Sequence, residues 1–134
     1  MTLGVRGVVE NDAGEVLFVR HTYTRGLFLP GGGVERGETM ETALRRELEE
    51  EGGVKVTGTP ALIGVFSNHH IFRNDHVVVY RLGHDAWTKI GHPVGREISE
   101  ISWHDPAAPP DDVTPGTQRR LQELYGGAPV SQYW

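Results

Sequence analysis

Apolar residues come in short blocks parted by turn residues, and the period of the blocks changes along the chain. Residues 3–10 (Leu-Gly-Val-Arg-Gly-Val-Val-Glu) read as a buried strand, weakened by Gly4 and Gly7. Asn11-Asp12-Ala13-Gly14 is a turn, so residues 15–21 are expected to pair back on that strand as a hairpin. A second short apolar run, Leu27-Phe28-Leu29, follows a loop. From Thr39 the spacing becomes helical. Thr39 is the expected N-cap, and Gly52-Gly53 the stop. Val54-Lys55-Val56 begins a short strand, and residues 61–72 and 76–82 read as two strands joined by a turn at Arg73-Asn74-Asp75. Residues 84–95 form a loop with Trp87 as its large aromatic, and a last strand starts near Ser99. Thr114 as N-cap and Pro115 as the first helical residue open a helix over 115–125, ended by Gly126-Gly127. Leu121, Leu124 and Tyr125 are expected to pack on the sheet, with Arg119 and Arg120 facing water. The aromatic end, Gln132-Tyr133-Trp134, is expected to dock on the body or on a second subunit of a homodimer.

The first helix carries an unusual charge pattern. On a wheel of about 100° per residue with Glu47 at zero, Met40, Leu44 and Leu48 fall at about +20°, +60° and +100°, and Ala43 at about −40°. Glu51 lands inside that apolar arc at about +40°, and Glu50 on its flank at about −60°. A solvated acidic face belongs opposite the apolar arc. Glu50 and Glu51 also stand in the last turn, where the helix dipole disfavours anions by a few tenths of a kcal/mol each, and they repel Glu47 at i+3 and i+4. Three carboxylates so placed call for a cation, and oxygen ligands suit Mg²⁺, Mn²⁺ or Ca²⁺ better than zinc.

Just ahead of the helix lies Pro30-Gly31-Gly32-Gly33, where backbone can approach a ligand closely and reach positive φ. Amides there and at the helix start could meet anionic oxygens. Carboxylates for a metal beside a glycine run point to a metal-bridged di- or polyphosphate.

The spacing Gly32-x5-Glu38-x7-Arg46-Glu47-Leu48-x-Glu50-Glu51-x-Gly53-Val54 resembles the complete signature of the Nudix hydrolases, with every defined position filled. The resemblance extends loosely over the rest of a chain whose length is that of a minimal MutT-like domain. It implies an α/β fold, an α/β/α sandwich around a mixed sheet, and a single domain over 1–134. It also implies a divalent-metal enzyme, with Mg²⁺ as cofactor and Mn²⁺ able to substitute, that hydrolyses a nucleoside diphosphate linked to another group. Carried over by the motif, Glu47, Glu50 and Glu51 hold metal, Arg46 orients them, and Glu38 assists or fixes the loop, while Gly32 and Gly33 keep the loop tight enough for phosphates to approach. The family often places a further acidic ligand or base just ahead of the last strand. Glu97 is assigned there, with Glu100 as the alternative; the base is Glu50 or Glu97. The plainer reading of Arg46 is an i, i+4 pair with Glu50, and that of Glu97 and Glu100 is a pair of surface residues at a strand edge.

Arg20, at the end of the second strand, and Arg25, in the loop before Leu27-Phe28-Leu29, both precede the glycine run and are candidates to clamp a substrate phosphate, against the plainer reading of surface arginines. His69, His70 and His76 cluster around the expected turn, and one of them is expected to line the substrate cleft. Trp87 either stacks on a base or pins its loop to the body.

Composition narrows this further. The 134 residues contain no cysteine, which excludes disulfides, thiolate catalysis and a Cys-type zinc site. That also argues against the cysteine-using isoprenoid isomerases of the same superfamily. A net charge of −5 without a basic cluster makes a nucleic-acid polymer an unlikely partner and favours a small nucleotide-type substrate. There is no signal-like segment and no apolar run long enough to span a membrane, so a cytoplasmic protein is expected. The leading substrate is a nucleoside di- or triphosphate. ADP-ribose, nucleotide sugars and dinucleoside polyphosphates are alternatives, since neither the NADH-type SQPWPFPxS run nor an ADP-ribose proline follows the signature. Two other functions compete: a nucleotide sensor without turnover, and a cation site that only stabilises the fold.

Overall fold

The computed structural model describes residues 1–91, 95 and 97–134. Strand β1 (Thr2–Val9) pairs in parallel with β7 (Asp75–Leu82) along its whole length, and antiparallel with β4 (Gly31–Gly33); β6 (Ala61–Ser67) lies antiparallel on the far side of β7. The mixed sheet therefore runs β4-β1-β7-β6. A second sheet holds β3 (Leu27–Phe28), β2 (Val16–His21) and β9 (Ile98–His104), and β5 (Val54–Val56) pairs with β8 (Trp87–Lys89).

Alternation along the strands divides the core in two. Val5, Val9, Leu17, Val78 and Leu82 pack with Ala43, Leu44 and Leu48 of helix α1 (Met40–Glu47) and its continuation. Val8, Val16, Phe18, Phe66, Val77 and Val79 face the other way, toward Leu121 of α2 (Pro115–Tyr125). One helix lies on each face, giving an α/β/α sandwich. Among the described residues, no helix is long and apolar enough to cross a membrane.

Several expectations are corrected. The β1–β2 hairpin does not form: the two strands share a single bridge, Glu10 to Val16, and then part. Both edges of β1 are taken by β7 and by the 30–33 segment, where Gly7 N–H donates to the Pro30 carbonyl, so β2 pairs with β3 and β9 instead. The glycine run is a strand, paired with β1, and not a loop. Strand β6 ends at Ser67, not Phe72, because Ser67 gives its N–H to the Gln132 carbonyl and its carbonyl to Trp134 N–H. The aromatic tail thus docks along this edge. The expected 84–95 loop contains β8, and its residues 92–94 lie outside the described residues. Met40, placed in the apolar arc by the wheel, is 37% exposed because it is the first helical residue, ahead of the turn that reaches the sheet.

Arg120 reverses its expectation most sharply: it is fully buried, not solvated. Its guanidinium lies 3.6 Å from the centre of the Phe66 ring, its Nε is 2.7 Å from Glu123 Oε1, and Nη2 donates to the Tyr133 carbonyl. Burial pushes its pKa down, against the pull of Glu123.

Candidate active site

The first helix delivers its carboxylates in two geometries. Thr39 caps it through a hydrogen bond from Thr42 N–H, and it runs as α-helix to Glu47. Residues Leu48–Gly52 then form a π turn, closed by Gly53 N–H on the Leu48 carbonyl with Gly53 at φ 63°. Only glycine takes that left-handed position cheaply. An i→i+5 turn advances fewer degrees per residue than an α-helix, so Glu51 is drawn closer in azimuth to Glu47 than a uniform wheel places it. Both are about nine-tenths buried.

Glu47, Glu50, Glu51 and Glu97 line one cleft of about 330 Å³, together with Gly31, Gly32, Gly33 and Arg46. Glu97 reaches it because a register shift between Arg20 and His21 opposite β9 lets Thr22 N–H bond the Glu97 carbonyl. Glu100 points elsewhere, toward Arg20 at 3.5 Å. A larger hollow of about 650 Å³ beside Trp87 and Trp103 meets this cleft only at Gly95 and Ile98 and holds none of its four carboxylates. Trp87 pins its segment to the body, stacking on Trp103 and donating Nε1–H to the Glu10 carbonyl.

Arg46 binds the cleft's rim together. Its Nε and Nη2 form a fork on Glu38, both at 2.8 Å, Nη1 reaches Glu47 at 2.8 Å and Glu50 at 3.4 Å, and Nη2 also donates to the Gly33 carbonyl. Glu38 in turn accepts from Glu35 N–H, which closes the loop ahead of the helix. The Arg46 guanidinium, with that amide, holds the Glu38 carboxyl down at about 2, while Glu38 and Glu47 raise Arg46 further.

The glycines serve the carboxylates. A Cβ on Gly32 would lie 2.5 Å from Glu47 Oε1, and one on Gly31 would lie 2.0 Å from the Val5 carbonyl oxygen. Gly31 N–H donates to Glu51 Oε1 at 3.1 Å. A Cβ on Gly33 would meet nothing.

Glu51's other oxygen lies 3.2 Å from Nε2 of His21, which is 5% exposed. A carboxylate offers only lone pairs, so Nε2 carries the proton. Burial pushes the Glu47 pKa up, with Glu51 and Glu50 adding to the rise and Arg46 opposing it. Loss of water is the main cause, and the neighbouring carboxylates add to it. As they stand, no three acidic or histidine groups among the described residues converge tightly enough to cage an ion. The donor set still fits a hard divalent cation: oxygen donors from four side chains share one cleft, and the least buried of the helix's three, Glu50, is held there only by a 3.4 Å contact with Arg46.

Sequence candidates divide here. Glu38, Arg46, Glu47, Glu50, Glu51, Glu97, Gly32 and Gly33 meet at the cleft or its rim. Arg20 does not: its guanidinium is held by Asp112 at 2.7 Å and by Glu100, and it is absent from the lining. Arg25 is exposed in the loop before β3 and is likewise absent. Neither lines this cleft. The histidine in the carboxylate cleft is His21; of the expected three, His70 lines a neighbouring cavity and packs on Tyr133, while His69 accepts from Asn74 N–H. Arg6 also lines the cleft. A second cavity of about 350 Å³, walled by Phe28, Ile71, Phe72, Tyr133 and Trp134, adjoins it at Arg6.

Residues 1–124 match the family described as NUDIX domain. The chain is 34% identical over 101 residues to an 8-oxo-dGTP diphosphatase of Haemophilus influenzae, covering 72% of this chain and 71% of that protein. It is 38% identical over 78 residues to an ADP-ribose pyrophosphatase of Methanocaldococcus jannaschii, covering 57% and 46%. A MutT NUDIX hydrolase crystal structure from Burkholderia pseudomallei superposes with a TM-score of 0.75 at 23% identity, covering 92% of this chain and 97% of that one.

Proposed function

Because this chain belongs to the NUDIX domain family, a family of pyrophosphohydrolases, we propose that it is a Mg²⁺-dependent enzyme that hydrolyses nucleoside di- or triphosphates. The observation that carries the reading is the meeting of Glu47, Glu50, Glu51 and Glu97 in one cleft that opens, at Arg6, onto an aromatic-walled cavity. The acidic half suits a metal-bridged polyphosphate, and the apolar half suits a flat base.

Glu47, Glu50, Glu51 and Glu97 are the residues that would hold the cation. Bound there, Mg²⁺ would neutralise phosphate oxygens and make a coordinated water more acidic. Arg46 keeps the Glu47 carboxylate turned into the cleft, and Gly31 N–H with His21 does the same for Glu51. Glu50 or Glu97 accepts the proton of the attacking water. Water oxygen bonds to one phosphorus as the P–O–P bridge on that phosphorus breaks, and the bridging oxygen leaves with the other phosphoryl group. A nucleoside triphosphate thus yields two phosphate-bearing products and one released proton equivalent.

The substrate class is tested by a phosphate-release screen with Mg²⁺ or Mn²⁺ over nucleoside di- and triphosphates, ADP-ribose, dinucleoside polyphosphates and nucleotide sugars, coupled to inorganic pyrophosphatase and phosphatase. Turnover highest on nucleoside di- or triphosphates is expected. Preference for ADP-ribose would shift the reading toward the activity named for the archaeal relative. Nucleotide binding without turnover would make the chain a sensor.

A further inference from the structure

Arg6 is a cation without an ionic partner in a place where such a group is costly. It sits in the middle of β1, with Val5 fully buried on one side and Gly7 packed under Leu44 and Leu48 on the other. Its Nη1 donates to the Leu29 carbonyl at 2.9 Å, and its guanidinium lies 5.7 Å from the centre of the Phe28 ring. No carboxylate of the described residues forms an ion pair with it. A guanidinium carries five N–H donors in a rigid fork, and the Leu29 carbonyl takes one. Burial lowers its pKa while Glu51, Tyr23 and Glu47 act from a distance to restore it.

The other arginines here are either ion-paired or confined to one cavity. Arg46 is bound to Glu38, Glu47 and Glu50, and Arg119, at the far cavity, donates Nε–H to the Trp134 carbonyl. Arg6 alone among the described residues lines both the carboxylate cleft and the aromatic cavity and leaves its charge unpaired. A ligand with a base in one cavity and a metal-bridged phosphate in the other must pass its nucleoside-proximal phosphate over this side chain.

Resting on the reading of a nucleotide substrate, we propose that Arg6 is a substrate-binding residue that receives the phosphate attached to the nucleoside, as a fork of N–H donors at the seam of the two cavities. This contact is made before and during reaction alike, so its loss appears in KM more than in kcat. Charge-assisted bonds to phosphate in a partly dried site are worth about 10- to 100-fold in affinity.

The experiment is calorimetric titration of the full chain with a nucleoside monophosphate, its parent nucleoside and inorganic pyrophosphate, for the wild type, Arg6→Met and Arg6→Lys, with thermal unfolding recorded for each. The expected result is an about 10- to 100-fold weaker monophosphate Kd in Arg6→Met, a smaller loss in Arg6→Lys, and little change for nucleoside or pyrophosphate. If Arg6→Met does not fold, the lysine variant, which keeps charge and bulk but not the fork, decides alone. Unchanged monophosphate affinity in a folded variant overturns the proposal, and so does an equal loss for nucleoside and monophosphate, which would make Arg6 a packing group. Absence of metal-dependent hydrolysis in the wild type would instead remove the enzyme reading, a separate outcome.

Discussion

Gly32 has no chemistry of its own, yet it decides where a carboxylate stands. The Glu47 side chain occupies the space that any Cβ at Gly32 would take, down to 2.5 Å from Oε1. Gly32→Ala should therefore leave the β4–β1 pairing intact and push Glu47 out of the cleft. A displacement on the order of 1 Å at a positioned group costs about 100-fold in rate. Steady-state kinetics beside a thermal melt will check this: kcat/KM should fall by about that factor with the fold retained, and activity within twofold of wild type would show the crowding to be harmless. Residues of this kind differ in how readily the chain discloses them. Glu47, Glu50 and Glu51 declare themselves locally, because a helix period and a dipole are enough to mark them as misplaced. Arg6 and His21 do not. Their meaning depends on the Leu29 carbonyl and on Glu51, 23 and 30 residues away, and nothing in the two strands that hold them announces either partner.

Elements are held to one another by two charge clusters, one part-buried and one fully buried. Glu10, just past β1, takes a fork from Arg81 of β7 at 2.9 and 2.7 Å and a hydrogen bond from the Tyr125 hydroxyl of α2 at 2.6 Å. The Arg81 bonds hold the Glu10 carboxyl below its ordinary range, against burial and with help from Tyr125. Because the folded pKa is depressed, the stabilisation is fully present above the ordinary carboxylate value and is lost as pH falls through the depressed one. Glu10→Gln should cost about 1–3 kcal/mol in urea unfolding at pH 7, with the difference from wild type shrinking as the pH is taken below the carboxylate range. A difference that stays constant with pH would mean that charge is not what binds these elements. On the other side of α2, Arg120→Leu removes one partner of a buried pair and should cost about 3 kcal/mol. Chemical denaturation within 0.5 kcal/mol of wild type, about the scatter of a surface change, would contradict that assignment. The helical period marks α2 and its N-terminus correctly but cannot tell its wet face from its dry one. The residues that dry Arg120, Phe66 and the 133–134 tail, come from other parts of the chain.

At the scale of the whole molecule, the pairing of strands decides the shape of the site. The turn at Asn11–Gly14 promises a hairpin, and local chemistry supports one. The parallel β1–β7 ladder claims that edge instead, and so frees β2 to bring His21 beside Glu51 and Glu97 beside the cleft. A parallel pairing across about half the chain leaves no mark on either strand, whereas the two helices are readable from capping and period, and their place on the two faces of a mixed sheet follows only from the family resemblance. The assembled cleft brings four carboxylates together, and burial first, then Glu51 and Glu50, raises the Glu47 pKa against Arg46. A divalent cation should thus raise the melting temperature at pH 7.5 and do so less at pH 5, where carboxylates compete for protons. A melt indifferent to Mg²⁺ and Mn²⁺ at both pH values would speak against a metal in this cleft.

The most direct measurement is metal-dependent release of phosphate from a nucleoside di- or triphosphate by the wild type and by Glu50→Gln, with EDTA as the control. The cleft predicts turnover that needs Mg²⁺ or Mn²⁺, stops with EDTA, and falls by a factor on the order of 100 or more in the variant, which keeps the shape of Glu50 but neither its charge nor its basicity. Full hydrolysis by Glu50→Gln would contradict the assignment of this site.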